Sequence, residues 1–257
     1  MEYIVINSSL PKDWRDLQIQ VEKIMKESGL IAESEKDIET VRGIVNIDVY
    51  AEDTSQRPKT IYLCECKFWQ KAIPKSVVHS FRTVVNDFGA NWGLIISSHG
   101  FQSGTFAAAA NSNIRLLTWK EFQELFLERW FKNYMQKRLL EENDPLVEYA
   151  EPINTRVFRK ANKLDKQSQQ HFNKLREKYF DLAFLTLILS SSKPSILKEY
   201  PPSLPLRKSI KSKEIAHTNN LPDILLDAVS FRDLLEIITN EDRKALAEFD
   251  DVFGERA

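Results

Sequence analysis

Two charged side chains lie near the end of an otherwise apolar segment, residues 60–69, whose pattern predicts a β-strand. Because side chains alternate between the two faces of a strand, Glu65 and Lys67 share a face with Ile61 and Leu63. Charged groups in such apolar surroundings are costly to bury unless they are paired or bind a metal. The segment therefore brings together a carboxylate and an amine that are suited to charge-based chemistry.

A second carboxylate, Asp48, interrupts the preceding predicted strand, residues 44–51. Hard divalent ions such as Mg²⁺ prefer oxygen ligands, which Asp48, Glu65 and the backbone carbonyl of Cys66 would supply. A metal bound there would polarise a phosphate and lower the pKa of a water molecule. Lys67 would stabilise charge that develops on the phosphate or position the water. The alternative is an ion pair between Lys67 and one of the acids with a purely structural role.

Hydrophobic spacing and turn residues predict an α/β arrangement around these groups. The predicted order is helix, strand, strand, helix, strand, helix and strand, which implies a central sheet with helices on its faces. The corresponding ranges are 14–28, 44–51, 60–69, 75–88, 92–97, 104–111 and 114–118. A capping-box pattern at Thr118–Glu121 then predicts a helix to about Leu140, and the remainder of the chain is predicted to be mostly helical.

The ordered set of motifs resembles a known nuclease family. An acid followed on the next strand by Glu65-Cys66-Lys67 is similar to the motif of the PD-(D/E)xK nuclease superfamily, although the usual proline before Asp48 is absent. The surroundings resemble the Mrr-type restriction endonuclease domain over residues 14–119. The shared pieces are Gly89-Ala90, Leu94-Ile95-Ile96-Ser97, Gly100-Phe101 and residues 107–110. Two further departures are Arg42-Gly43-Ile44-Val45-Asn46 before the acid, and Cys64 where the family often has glutamine, unless Gln70 replaces that glutamine.

The resemblance implies a restriction-endonuclease-like central mixed sheet flanked by helices, followed by a mostly α-helical C-terminal domain. We place the nuclease domain at residues 1–142, the helical domain at 150–257 and a linker at 143–154. The implied function is Mg²⁺-dependent hydrolysis of DNA, with Mn²⁺ as a possible substitute, in restriction or defence against foreign DNA. Cutting both strands would require two copies, so the C-terminal domain is expected to serve target recognition, homodimer formation or docking to a protein partner.

The places of other polar residues on the predicted helices and loops suggest further members of the site. Glu22, on the first predicted helix, would act with the catalytic group by holding the water shell of the metal or supporting Lys67; the alternative is an exposed helix carboxylate. A second set of residues would contact the DNA backbone, and the alternative is that they only form a solvated surface. These residues are Lys71, Lys75, His79, Arg82, Ser98 and Gln102.

Composition and charge limit the partners and the cellular compartment that the sequence predicts. The net charge of the 257 residues is −1, yet residues 156–213 carry 14 basic and 4 acidic side chains while residues 214–257 carry 4 and 11. The basic segment could neutralise phosphates or fold against the acidic one. The chain shows no apolar run long enough for a membrane span, no signal-peptide pattern and only two cysteines, which fits a cytoplasmic protein.

Three alternatives to a restriction nuclease remain open at this point. The same scaffold serves structure-specific or repair nucleases, which would prefer junctions or flaps to plain duplex. A nuclease fold that no longer cuts would act as a nucleic-acid-binding or scaffold module. RNA also remains possible, because phosphodiester hydrolysis does not by itself distinguish the two sugars.

Overall fold

A computed structural model describes residues 5–151, 155–191, 200–209 and 220–254. The chain divides into two compact units, one formed by Ser9–Asn133 and the other by Met1–Ser8 together with Tyr134–Ala257. The division therefore lies before the predicted limits of 1–142 and 150–257. The reason is that residues after Tyr134 belong to a helix that packs on later helices rather than on the sheet.

The first unit, Ser9–Asn133, contains a mixed sheet of five strands with helices on both faces, as the sequence predicted. Its strands follow chain order across the sheet, antiparallel for the first three and parallel for the last three. The strands are β1 (Ile31–Thr40), β2 (Gly43–Asp53), β3 (Thr60–Lys67), β4 (Trp92–Ser97) and β5 (Ile114–Thr118). The helices are α1 (Trp14–Glu27), α2 (Lys75–Phe88), α3 (Ser103–Ala109) and α4 (Trp119–Trp130), and a π-helical turn, Phe131–Met135, follows α4.

Helices cover both faces of the sheet, and the side chains of β3 alternate between these two faces. Leu63 belongs to a buried cluster with Phe81 and Val85 of α2. Its neighbour Cys64 points the other way, and its Sγ lies 3.8 Å from Sδ of Met25 on α1. Helices α2 and α3 pack together, as do α1 and α4. The side chain of Glu65, two residues after Leu63, therefore points to the same face of the sheet, which α2 covers.

The sequence prediction missed β1. This edge strand, Ile31–Thr40, contains mostly charged and polar residues, and only Ala32 and Ile38 are buried. Its polar face is typical of an edge strand that must not pair with another chain. A tight turn joins it to β2, and Gly43 at the start of β2 has a φ of 115°, which favours glycine.

Gly93 on β4 marks the closest approach between the sheet and α2. A Cβ atom there would lie 2.5 Å from Cδ1 of Ile114 and 2.7 Å from Cγ2 of Val85. Since overpacking a dense core typically costs about 1–3 kcal/mol, we expect Gly93→Ala to lower the free energy of unfolding by that amount. Urea denaturation followed by tryptophan fluorescence would measure the loss. The matched control is Gly104→Ala, where the added atom meets nothing within 4 Å; equal effects at both positions would contradict the prediction.

The second unit is helical over its described residues. Helices α5, α7 and α10 pack on one another. Aromatic rings from them meet in the core, where Tyr149 and Phe249 stack with centroids 4.7 Å apart and Phe172 contacts Phe249 edge-on. The helices are α5 (Gln136–Ala150), α6 (Thr155–Ala161), α7 (Lys166–Ser190), α8 (Leu206–Ser209), α9 (Asp223–Leu226) and α10 (Phe231–Phe253). Among the described residues, none of the helices is both long and apolar enough to cross a bilayer.

The predicted linker at residues 143–154 is wrong up to Ala150, because α5 continues to that residue with Pro145 inside it. A proline in a helix interior costs about 3 kcal/mol. Burial of Leu146 and Ala150 opposes that cost, and so does the stacking of Tyr149 on Phe249. Tertiary packing therefore overrides the local signal, and residues 152–154 lie outside the described part of the chain.

The basic and acidic segments pair at several points within the helical unit. Lys178 binds both carboxylate oxygens of Glu248, and Arg207 binds Asp223 and Asp227. These contacts support the interpretation that the basic segment folds against the acidic one. The pairs are exposed, so each adds little to stability.

Asp242 on α10 is a buried carboxyl group. Its side-chain oxygens have no hydrogen-bond partner among the described residues. Burial, together with the charges of Glu142 and Glu241, raises the pKa of Asp242 from 3.8 to about 8. A carboxyl whose pKa is raised by folding stabilises the folded state below its unfolded pKa, and that contribution is lost as the pH rises through the folded pKa.

We therefore expect Asp242→Asn to become progressively more stable than wild type between pH 4 and pH 8. Urea unfolding of both proteins across that range would measure the difference between their free energies, which isolates this group from other titrations. A difference that does not change with pH would contradict the prediction. Asp233→Asn, in the first turn of the same helix and only partly buried, serves as the control.

Candidate active site

The candidate site lies where two strands separate. The ladder between β2 and β3 ends at the pair Val49–Cys64. Beyond that pair, β2 is hydrogen-bonded only to β1, and β3 only to β4. Asp48 on β2 and Glu65 on β3 are the residues that come directly after this last pair. The sheet therefore presents two carboxylates on adjacent strands at the start of a split.

Asp48 is held by two donors. Nε2 of Gln18 on α1 donates to Oδ1 over 2.7 Å, and the backbone N–H of Cys66 donates to Oδ2 over 2.7 Å. In an extended strand the N–H and C=O of one residue point to the same side. The Cys66 carbonyl therefore points into the gap beside Asp48.

Glu65 and Lys67 form an ion pair at the end of β3, with both side chains about one-fifth exposed. Burial raises the pKa of Glu65, and the charge of Asp48 raises it further, while the Lys67 ammonium opposes the shift. The effect of Asp48 on the pKa means that the two carboxylates are close enough to repel each other. A cation between them would relieve that repulsion.

A cleft of about 420 Å³ opens beside this ion pair on the α2 face of the sheet. Trp69 stands at its edge with 41% of its surface exposed, and Nζ of Lys67 lies 5.8 Å from the centroid of its ring. The cleft is lined by strand and helix residues, namely Val45, Asn46, Ile47, Glu65, Lys67, Trp69, Ser76, Val77, Ser80, Phe81 and Val84. An aromatic ring and apolar walls next to a charged pair suit a nucleotide. Asp48 does not line the cleft, because its Oδ1 accepts from Gln18 of α1, the helix on the other face of the sheet.

A comparison with known families matches the part of the chain that carries this site. Residues 12–126 match the Mrr catalytic domain family, described as restriction endonuclease. These residues form an Mrr-type restriction endonuclease domain. The match begins just before α1 and ends within α4, so it contains all five strands and the three residues of the predicted motif.

Two further comparisons carry no information about the function of the chain. A solved structure described as a protein of unknown function, AF1548, is 15% identical, covers 93% of this chain and 100% of its own, and has a TM-score of 0.37. That likeness is too low to support a conclusion. No curated protein matches the chain.

The Mrr-type domain places Glu22 one helical turn from Gln18. Glu22 accepts a hydrogen bond from Nζ of Lys26 over 2.5 Å and another from the hydroxyl of Ser34. Burial alone would raise the pKa of Glu22, but these hydrogen bonds and the charge of Lys26 outweigh it and lower the pKa. No hydrogen bond or ion pair joins Glu22 to the acids of the motif within the described residues, and its catalytic role stays a prediction.

Sequence reasoning missed Gln18, although its side chain touches Asp48 directly. The available signal was a polar residue inside the buried stripe of α1, next to Leu17 and Val21; Gln18 is 5% exposed. Partners that orient a metal ligand typically contribute about 10–100-fold in metal affinity or activity. We expect Gln18→Leu, which keeps the size and removes the donor, to weaken Mn²⁺ binding and DNA cleavage within that range. Gln20→Leu, on the same helix but bonded to Asp16 instead, should leave both unchanged.

None of the six residues predicted to contact DNA lines the cleft. Ser98 lies closest to the motif, since its backbone N–H donates to the Lys67 carbonyl over 3.1 Å and its hydroxyl donates to the Trp69 carbonyl over 3.2 Å. Arg82 is half-buried and its Nη1 lies 3.5 Å from the Ala108 carbonyl. The others are exposed, namely Lys71, Lys75, His79 and Gln102. The polar residues of α2 that line the cleft are Ser76 and Ser80, which the sequence did not single out.

Proposed function

We propose that the Mrr-type domain is an endonuclease that hydrolyses DNA phosphodiester bonds with a divalent metal ion, Mg²⁺ being the physiological one and Mn²⁺ a substitute. The observation that carries the proposal is that Asp48 and Glu65 each follow the last pair between β2 and β3, with Asp48 bound to the N–H of Cys66 and Lys67 paired with Glu65. DNA is the substrate that the family implies. A structural ion pair alone would explain Lys67 and Glu65 but would not require Asp48 in the same gap.

The donor set fits a hard divalent ion. Asp48, Glu65 and the Cys66 carbonyl would hold it through oxygen atoms, and Gln18 would keep Asp48 in place. Within the described residues no cluster of three or more His, Cys, Asp or Glu side chains could hold a metal. Protein carboxylates therefore supply two ligands at most. Mg²⁺ commonly binds through one or two carboxylates together with water and substrate phosphate.

When bound, such an ion supplies Lewis-acid activation of the phosphate and of a water molecule. The remaining roles belong to the chain. Lys67 donates to a phosphate oxygen and stabilises negative charge that grows during hydrolysis. Glu65, whose pKa is raised by burial, would have to lose its proton before it could hold the ion. The cleft holds the nucleotide next to the cleaved bond, with Trp69 against its base.

A role in restriction or defence follows from the family rather than from the site. One metal site cuts one strand, so we propose that two copies act together for a double-strand cut, through the helical unit or through a partner protein. A repair or structure-specific nuclease would share the same site. An inactive scaffold would not need the two carboxylates in one gap.

The proposal is tested by incubating the full chain with supercoiled plasmid, with and without Mg²⁺ or Mn²⁺, beside Glu65→Gln. We expect nicked and linear products from wild type only when a divalent ion is present, and none from the variant. Flap, junction and single-stranded RNA substrates of matched length separate the alternatives. Cutting that survives both chelation and the Glu65→Gln change would contradict the proposed site.

A further inference from the structure

The ladder between β1 and β2 is interrupted at one point, beside Asp48. Glu35 on β1 and Asp48 on β2 form no pair, although the residues on both sides of each are paired in one constant register. Glu35 also has a φ of 50°, in the left-handed region that residues other than glycine adopt rarely. Strained backbone of this kind persists only where the surrounding structure holds it, and it is common at functional sites. A strained residue therefore lies across the ladder from a candidate metal ligand.

The side chains of β1 change from one face of the sheet to the other at Glu35. Ser34 lies on the face that α1 covers, where its hydroxyl donates to Glu22. Lys36 lies on the face that α2 covers, where its Nζ is 4.4 Å from the centroid of the Tyr50 ring. Residues two apart in a regular strand share a face, so these two side chains would lie on one side. Glu35 is therefore an additional residue that reverses the alternation.

The side chains of β2 reverse in the same way at Asp48. Residues three apart in a regular strand face opposite sides, whereas Ile47 and Tyr50 both belong to the buried cluster on the α2 face. Two residues therefore stand between them where regular alternation places one. Val49 keeps the regular place, because its partner Cys64 faces α1. Asp48 is therefore the additional residue on β2, as Glu35 is on β1.

We propose that Glu35 is a positioning residue for Asp48, because its left-handed backbone lets both strands hold one additional residue at this point. An additional residue of this kind re-aims a side chain next to a site. Oδ2 of Asp48 accepts from the backbone N–H of Cys66 over 2.7 Å, and such N–H groups lie in the plane of the sheet. The carboxylate therefore lies in the gap between β2 and β3. Nδ2 of Asn46 donates to the Glu35 carbonyl over 3.1 Å and holds the strained conformation. The inference rests on the proposed function in so far as Asp48 is the metal ligand.

The test compares substitutions that differ in the backbone conformation they allow. Glycine and asparagine adopt a positive φ readily, whereas a β-branched residue with a positive φ is strongly disfavoured. We expect Glu35→Gly and Glu35→Asn to keep Asp48 in place, although both remove the carboxylate of Glu35, and Glu35→Val to displace it. The matched control is Glu39→Val, the same change at an exposed residue of β1 that pairs regularly with Ile44.

Two measurements on the full chain report the position of Asp48 and the metal site separately. Hydrogen exchange of the Cys66 amide, followed by NMR without metal, shows whether Asp48 still accepts from it. We expect Glu35→Val to speed this exchange by about 10-fold or more, since a hydrogen bond to a charged group is lost. The same variant should weaken Mn²⁺ binding by about 10–100-fold, the usual effect of losing the support of a metal ligand. Glu35→Gly, Glu35→Asn and Glu39→Val should give the wild-type values.

The outcomes separate this inference from the proposed function. Faster Cys66 exchange in Glu35→Val, in a chain whose wild type binds no Mn²⁺, would support the positioning role and contradict the metal site. Wild-type Cys66 exchange in Glu35→Val would overturn the inference. Equal losses in Glu35→Val and Glu35→Gly would overturn it too, because the carboxylate would then matter rather than the backbone conformation.

Exchange of the β4 amides in the same spectra shows whether each variant is folded. If Glu35→Val is not, Asn46→Ala is the second variant, because it removes the hydrogen bond to the Glu35 carbonyl. We expect Asn46→Ala to speed Cys66 exchange as well, and unchanged exchange in that variant also overturns the inference.

Discussion

Asp48→Asn is expected to lower the rate of DNA cleavage by about 10³-fold or more, since losing a charge that holds a catalytic metal costs several kcal/mol of barrier at 1.4 kcal/mol per tenfold change. The substitution keeps the size of the side chain but removes its negative charge. It also creates a conflict, because both oxygens of Asp48 accept hydrogen bonds, from Gln18 and from the Cys66 N–H. An asparagine amide would point its NH₂ at one of these donors.

Single-turnover cleavage of plasmid at saturating Mg²⁺ measures this effect. The control is Asp37→Asn on β1, an exposed acid whose side chain accepts from Nδ2 of Asn46 over 2.9 Å. We expect the control to cleave at the wild-type rate. If Asp48→Asn cleaves as fast as Asp37→Asn, Asp48 does not hold the metal. Thermal melts of both variants distinguish loss of chemistry from loss of fold.

Lys67→Ala is expected to lower the single-turnover rate by about 10²–10³-fold, the usual effect of removing one preorganised donor to a developing oxyanion. Lys67 pairs with Glu65 at the end of β3, so its removal also leaves Glu65 without its positive neighbour. Because the Lys67 charge opposes the other influences on the pKa of Glu65, that pKa should rise further in the variant. The acid limb of the pH–rate profile should therefore move to higher pH.

The matched control for this variant is Lys59→Ala. Lys59 pairs with Glu52 over 2.8 Å and is half exposed, so the control removes an ion pair from the same unit without touching the site. Lys59→Ala should retain the wild-type rate and pH profile. A rate for Lys67→Ala within threefold of the control would mean that the Lys67–Glu65 pair is only structural.

The sequence predicted the strands and helices around the motif because their signals are local. Helix α2 has a regular apolar face with Val78, Phe81 and Val85 buried, and β4 is a short run of buried residues. The motif itself was visible because charged residues stood out in two apolar strands. Signals of this kind depend only on neighbours in the chain.

Features that depend on tertiary contacts were not predictable in the same way. The edge strand β1 has few buried residues, and no local pattern reveals that it pairs with β2. The contact between Gln18 and Asp48 joins residues 30 positions apart. The continuation of α5 past Pro145 depends on packing within the helical unit. The cleft beside Glu65 likewise arises only when α2 is laid across the sheet.

Glu22 illustrates the remaining limit. Its helix and its position near the apolar stripe were predicted, but the side chain is engaged by Lys26 and Ser34. Spacing along a helix shows which residues share a face, but it does not show which side chain each of them contacts. The neighbouring Gln18, one turn earlier, makes the contact with the motif instead.

The most direct test of the account is a Mn²⁺ titration followed by electron paramagnetic resonance, because it detects the ion without requiring cleavage. We expect one bound Mn²⁺ for each wild-type chain, a loss of that site in both Asp48→Asn and Glu65→Gln, and full retention in Glu33→Gln, where the acid is exposed and paired with Lys36. Mn²⁺ binding of the same strength and stoichiometry in all four proteins would contradict the claim that these two carboxylates share one metal ion.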